Sequence, residues 1–257
     1  MKVGVFGKGR LGAAIAQAAG PALMWQVTRD DPPDWDVDVA IEASVGAAVE
    51  RRLAWALAHE VPLVIGTTGW SIPDLHERVG ARIGVVLAPN FSLGVALVRR
   101  LAAVLGRWAA LDPARDPYLW EHHHARKHDA PSGTAKMLAA TLLAHCPRKT
   151  TWAQGGPLSP EQLSVGVLRA GSTYSAHTVG VDAPGEVIEV RHEARSALPF
   201  GEGALVAARW VRDRRGVFTM DDVAGDVLDR IVGLEPASPA PARAGGAAEA
   251  APEEEGT

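Results

Sequence analysis

The chain has 257 residues, 47% hydrophobic and 22% charged, with a formal net charge of -4. That length suits one large domain or two modest ones, each with a real core. The acidic balance and the lack of any Lys/Arg block argue against nucleic acid or a membrane surface as partner. No apolar run approaches the roughly 18 to 20 residues of a membrane span, and the single Cys146 excludes an internal disulfide framework.

The first ninety residues alternate strand and helix. Residues 3–6, 23–28, 37–41, 63–65 and 83–87 read as strands, with helices over 11–19, 47–59 and about 73–79. Such alternation implies a doubly wound parallel sheet of the Rossmann type, covered on both faces. After Pro89 the rhythm changes: a long apolar helix over 93–108, a strand over 118–124 and a helix over 134–143. Three strands at 164–169, 174–181 and 187–192 follow with only turns between them. This predicts a second, α+β domain with an antiparallel or mixed sheet. Helices over 204–211 and 220–231 are expected to return to the first domain. The expected division is therefore 1–92 with 204–234 for dinucleotide binding and 93–203 for substrate binding and oligomerisation. Residues 235–257, all Pro, Ala, Gly, Glu and other small or polar types, read as a disordered tail. The N-terminus enters an apolar strand directly, without a signal-peptide pattern, so a cytoplasmic location is expected.

The turn Gly7-Lys8-Gly9-Arg10-Leu11-Gly12 fits G-x-G-x-x-G between the first strand and first helix. Glycines there allow a tight turn and close backbone approach to a pyrophosphate at the helix N-terminus. Coenzyme choice is set near the end of the second strand, where Thr28 is not acidic and Arg29 can pair with a 2′-phosphate; Asp30 is one step late for a ribose contact. This favours NADPH over NADH, with use of both left open. Gly66-Thr67-Thr68-Gly69-Trp70 and Ala88-Pro89-Asn90-Phe91 each follow a buried strand, where such a sheet presents its ligand loops.

The richest segment is Glu121 to Ala135, EHHHARKHDAPSGTA. It gathers His122, His123, His124, His128 and Lys127 just before a helix start at Ser132-Gly133-Thr134. A histidine titrating near neutrality serves as a general acid, and a helix N-terminus with hydroxyls attracts a carboxylate. On a strand, His122 and His124 share one face and His123 takes the other. The H-x-H pair leaves a zinc site open, although no further ligands stand at matching spacing.

These segments together, with the later LRAG…HT, resemble the 4-hydroxy-tetrahydrodipicolinate reductase (dihydrodipicolinate reductase) family from Met1 to about Val232. The resemblance implies a homotetrameric oxidoreductase that uses NADPH or NADH to reduce a small cyclic imine dicarboxylate in diaminopimelate/lysine biosynthesis. It implies His123 as proton donor with Lys127 as its partner, and His124, Lys127, Ser132, Gly133 and Thr134 as substrate contacts. It places Gly66 to Thr68 and Ala88 to Phe91 at the nicotinamide, and gives no role to a metal, to His122 or to His128. The chain departs from the pattern in a shorter glycine turn, a shortened stretch after Asp31, and Ala197 where an arginine is expected, with Arg195 two residues earlier. The shortened stretch motivates a second reading, a non-catalytic NAD(P)-binding sensor. A metal-dependent enzyme built on His122 and His124 is a third.

Overall fold

The computed structural model describes residues 1–28, 36–229 and 231. Arg29, Asp30 and the tail predicted to be disordered lie outside them. In chain order the elements are β1 (Val3–Phe6), α1 (Arg10–Ala19), β2 (Leu23–Val27), β3 (Val39–Glu42), α2 (Val49–Ala58), β4 (Leu63–Ile65), α3 (Leu75–Val79) and β5 (Gly84–Leu87). Then come α4 (Leu93–Ala110), β6 (Asp116–His123), α5 (Gly133–His145), β7 (Thr151–Ala153), β8 (Gln162–Arg169), β9 (Ser175–Ala183), β10 (Glu186–Ala194), α6 (Leu198–Val211), β11 (Gly216–Thr219) and α7 (Met220–Leu228).

The first sheet runs β11-β5-β4-β3-β1-β2, and every neighbouring pair is parallel. Its central strands are buried on both faces, which is why β1 and β4 read as unbroken apolar runs and β3 as one up to its terminal Glu42. One core packs Val5, Ile41 and Val86 beneath Ile15 of α1 and Ala204 and Ala208 of α6; the opposite core packs Phe6, Leu63 and Val85 against Leu53 of α2 and Val79 of α3. The strand order reverses at β1, with β2 on one side and β3 on the other, so the crevice opens at the C-terminal ends of β1 and β3. The loops after β4 and β5 reach the same edge.

The second sheet runs β10-β9-β6-β8-β7 and is mixed: β9 is antiparallel to β6 and β10, whereas β8 is parallel to β6 and β7. Its buried face carries Leu119, Val165, Val179 and Val181 against α4 and α5. Along β6 burial alternates strictly, so the side that packs Leu119 also carries Glu121 and His123 toward the start of α5.

Two strands escape the sequence pattern, β7 and β11. Helix α6 also starts at Leu198, earlier than the expected 204, through Pro199, Gly201 and Gly203. Those glycines allow close approach: an added Cβ would lie 2.3 Å from the Ala14 carbonyl oxygen at Gly201 and 1.8 Å from that of Phe91 at Gly203. Gly203→Ala is therefore expected to cost about 2–3 kcal/mol of stability, because a backbone oxygen cannot step aside. A urea-melt midpoint equal to that of the wild type would contradict it.

Candidate active site

A cleft of about 1120 Å³ lies between the two sheets, at the crevice end of the first. From the first domain it is lined by Gly9, Arg10 and Leu11, by the loop from Ala43 to Gly46, by Gly66, Thr67 and Thr68, and by Pro89 and Asn90. From the second it is lined by His123, His124, Lys127, Ser132, Gly133 and Thr134, together with Arg126, His128, Asp129, Met137, Tyr174, Ser175, Ala197 and Phe200.

The glycine turn fits a diphosphate. Gly7 adopts φ 114°, and a Cβ on Gly12 would lie 2.2 Å from the Gly7 carbonyl oxygen, so both shape the turn and pack the helix. The N-cap of α1 is Gly9, with no side-chain cap and open space where a Cβ would stand. The first amides of α1 are thus free to receive an anion. Lys8 is exposed outside the cleft-lining set, whereas Arg10 lines it.

Glu42 at the end of β3 is fully buried and organises the loops beside the turn. Its Oε1 accepts from the Ser44 backbone N–H at 2.7 Å and from the Thr67 hydroxyl at 3.0 Å, and the Ser44 hydroxyl also donates to it. Trp70 Nε1 donates to the Thr67 carbonyl at 2.7 Å, closing the Gly66–Trp70 loop. Gly66 rests on the ring of Phe91, where a Cβ would lie 2.4 Å from Cε2.

Ala88 and Phe91 are 2% and 1% exposed and belong to the core, so their side chains support the loops and leave the cleft wall to Pro89 and Asn90. Asn90 also joins the domains: its Oδ1 accepts from Ser92 N–H at 2.9 Å and its Nδ2 donates to Thr134 Oγ1 at 3.3 Å.

The histidine segment also differs from a simple strand. β6 ends at His123, so His124 follows in the loop and lines the cleft beside His123. His122, on the opposite face, bonds through Nε2 to the Ala170 carbonyl at 3.0 Å. The H-x-H pair thus loses the geometry on which the zinc reading rested. His128, set aside in the sequence, does reach the cleft wall. Lys127 Nζ pairs with Asp129 Oδ1 at 2.7 Å, a hydrogen bond that holds the Asp129 carboxyl below its usual range. Ser132 caps α5, accepting from Ala135 N–H at 3.2 Å, and a Cβ on Gly133 would meet nothing within 4 Å. The start of α5 is open toward the cleft.

Beneath this wall lies a buried polar cluster that sequence reading did not pick out. Glu121 is fully buried, and its Oε1 accepts from Ser132 N–H at 2.9 Å and from Arg169 Nη2 at 2.6 Å. Its Oε2 stands 3.3 Å from His177 Nε2 and 3.5 Å from His123 Nδ1. Burial pushes the Glu121 carboxyl up, but the His177 imidazole beside Oε2 and the hydrogen bonds from Ser132 and Arg169 outweigh it and hold the group ionised, well below the usual carboxylate range. Glu121, His123 and His177 bring ligand-type atoms within 4.8 Å of one another, yet the Arg169 guanidinium already supplies the cation that carboxylate faces.

His123 departs from the near-neutral titration expected of it. Burial drives its pKa down to about 4; Glu121 opposes this, while His177, Lys127 and Arg169 add to it. At neutral pH its ring is uncharged until negative charge enters the cleft.

Known proteins resemble the chain over both domains. The family model for the dihydrodipicolinate reductase N-terminus matches residues 26–91, and that for its C-terminus matches residues 93–224. The chain belongs to the dihydrodipicolinate reductase family. Among relatives named 4-hydroxy-tetrahydrodipicolinate reductase, that of Magnetococcus marinus is 34% identical over 84% of this chain and 84% of its own length. That of Chromohalobacter salexigens is 35% identical over 85% of this chain and 86% of its own. A dipicolinate-bound dihydrodipicolinate reductase from Paenisporosarcina sp. TG-14 shares the fold, with a TM-score of 0.68 at 19% identity over 86% of this chain and 98% of that one. In this member of the family Ala197 lines the cleft, and Arg195 is exposed outside the lining set. No helix among the described residues is long and apolar enough to cross a membrane.

Proposed function

We propose that this chain is the NAD(P)H-dependent reductase that converts 4-hydroxy-tetrahydrodipicolinate to tetrahydrodipicolinate in diaminopimelate/lysine biosynthesis. One observation carries this reading beyond family membership: a single cleft joins the uncapped, glycine-led start of α1 to His123, Lys127 and the open start of α5. A bound nicotinamide dinucleotide supplies the hydride. The α1 amides and Arg10 take its phosphates, while the 66–68 loop and Asn90, braced by Glu42 and Phe91, shape the nicotinamide end. Ser132, Gly133 and Thr134 hold one substrate carboxylate at the α5 N-terminus, and Lys127 turns from Asp129 to share that charge. His124 completes the contact.

Loss of the 4-hydroxyl with a ring proton, as water, gives the conjugated dihydrodipicolinate; hydride adds to that ring, and His123 protonates the carbon next to the developing charge. A dianionic substrate lifts its pKa from the depressed value of the open cleft, so the proton arrives with the substrate rather than waiting for it. Arg29, just beyond Thr28, favours NADPH over NADH. The protein is cytoplasmic and homotetrameric in this reading, with the division at 92/93 separating nucleotide and substrate domains. The sheet face turned away from α4 and α5, with Leu168 47% and Val187 56% exposed, supports the assembly.

The test follows NADPH and NADH oxidation at 340 nm with substrate made in situ by the preceding synthase. Turnover with both coenzymes and a higher kcat/KM for NADPH is expected. Nucleotide binding without oxidation would favour the sensor reading instead.

A further inference from the structure

The cluster under the cleft wall contains a buried carboxylate with no part in the binding scheme above. Glu121 is reached from four elements: His123 on its own strand, His177 on β9, Arg169 at the end of β8 and the Ser132 amide at the start of α5. An unpaired anion in such a place is costly, and two donors to Oε1 satisfy only half of the carboxylate. Its other oxygen, Oε2, faces the two imidazoles. Nδ1 of His123 is buried without a hydrogen-bond partner, 3.5 Å from that oxygen, whereas the largely buried side chain borders the cleft elsewhere. The nitrogen free to meet a ligand is therefore Nε2. His177 Nε2 stands between Oε2, at 3.3 Å, and the Ser132 hydroxyl, at 3.1 Å.

We infer that Glu121 is the positioning residue for the acid, directing the Nδ1–H of His123 to its Oε2 so that Nε2 carries the transferable proton into the cleft. This rests on the reading of His123 as proton donor. Glu121 fixes the tautomer, and its charge stabilises the imidazolium that forms when an anionic substrate enters. In the reaction the Nε2–H bond breaks as the carbon–hydrogen bond forms. His123 is left neutral with its proton on Nδ1, and solvent restores the proton on Nε2. Because Oε1 also holds the Ser132 amide, one carboxylate sets both the acid and the helix start that grips the substrate. His177 competes with His123 for Oε2, and its neighbour His192 adds no anion to the cluster. The charged groups facing His123 are thus Glu121, Arg169 and Lys127, with His177 as the remaining titratable one.

The geometry gives two variants opposite signs. Glu121→Gln keeps an oxygen for Ser132 and Arg169 but removes the charge, which lowers the pKa of His123 in the substrate complex. The alkaline fall of kcat then moves to lower pH by about one unit or more, and kcat at neutral pH drops about 10²-fold. Glu121→Asp retains the charge, so it restores most of the lost rate and returns the limb toward the wild-type position. His177→Leu frees Oε2 for His123 and moves the limb to higher pH. The experiment measures kcat and KM from pH 5.5 to 9.5 for the wild type, these three variants and His123→Gln.

A Glu121→Gln limb at the wild-type position would overturn the inference, whatever the loss of rate, because a merely structural role lowers kcat without moving the limb. Should Glu121→Gln fail to fold, His177→Leu decides: an upward shift supports the inference, and an unmoved or lowered limb overturns it. Full activity in His123→Gln would instead sink the assignment of the acid itself, which separates that failure from this one.

Discussion

His123→Gln is expected to lower kcat about 10²- to 10³-fold while changing KM for the substrate less than about threefold. The residue stands at the end of β6 with its inner nitrogen buried and its largely buried side chain bordering the cleft elsewhere, so it has one edge at the cleft and one proton to give. The size follows from what a positioned general acid contributes when hydride transfer leaves charge on a conjugated ring. Glutamine occupies similar space but donates no proton at neutral pH. Steady-state kinetics decide between outcomes: a kcat within about threefold of the wild type would remove His123 from the chemistry. Coenzyme affinity, measured by fluorescence quenching, should stay unchanged, since no part of His123 belongs to the first domain.

Lys127→Ala is expected to lower kcat/KM for the substrate at least about 10²-fold, with KM raised about tenfold or more. A charge-assisted hydrogen bond to a carboxylate in a partly enclosed cleft has this magnitude, and the lost charge also weakens orientation for hydride transfer. Lys127 is held near the α5 start by Asp129, at 2.7 Å. Its removal also leaves the dianionic substrate facing Asp129 without the Lys127 charge between them, which deepens the loss. The same kinetics, with coenzyme affinity as control, check it; an unchanged KM would place the carboxylate elsewhere in the cleft.

Much of the architecture was legible because burial writes a plain pattern. β1, β3 and β4 are buried on both faces and read as apolar runs, β3 up to its terminal Glu42, and the G-x-G-x-x-G turn stands where a strand meets a helix. β11 was not legible: four residues behind the charged Arg212 to Arg215 stretch gain their partner only through β5, far away in sequence. The first turn of α6 was hidden by Pro199 and two glycines of poor helix propensity, which contact with α1 and the Phe91 backbone overrides.

The site divides in the same way. The segment from His123 to Thr134 was visible as a cluster of chemistry-bearing residue types beside a helix start. The titration of His123 was not, because burial beside His177, Lys127 and Arg169 depends on elements brought together only by folding. Glu121 left one faint signal, its place two residues before His123 on the same strand face. Arg169 is 48 residues away from it, and His177 is 45 from Ser132, so no local pattern could assign the network.

In the proposed function one cleft brings a nicotinamide hydride to a cyclic imine dicarboxylate held by Lys127 and the α5 start. NADPH deuterated at the transferable C4 position, incubated with substrate made in situ, tests it most directly through the mass of the tetrahydrodipicolinate formed. One deuterium per product molecule is the expected result, with Lys127→Ala giving little product at the same enzyme concentration. Product without the label, or nucleotide bound but never oxidised, would contradict it.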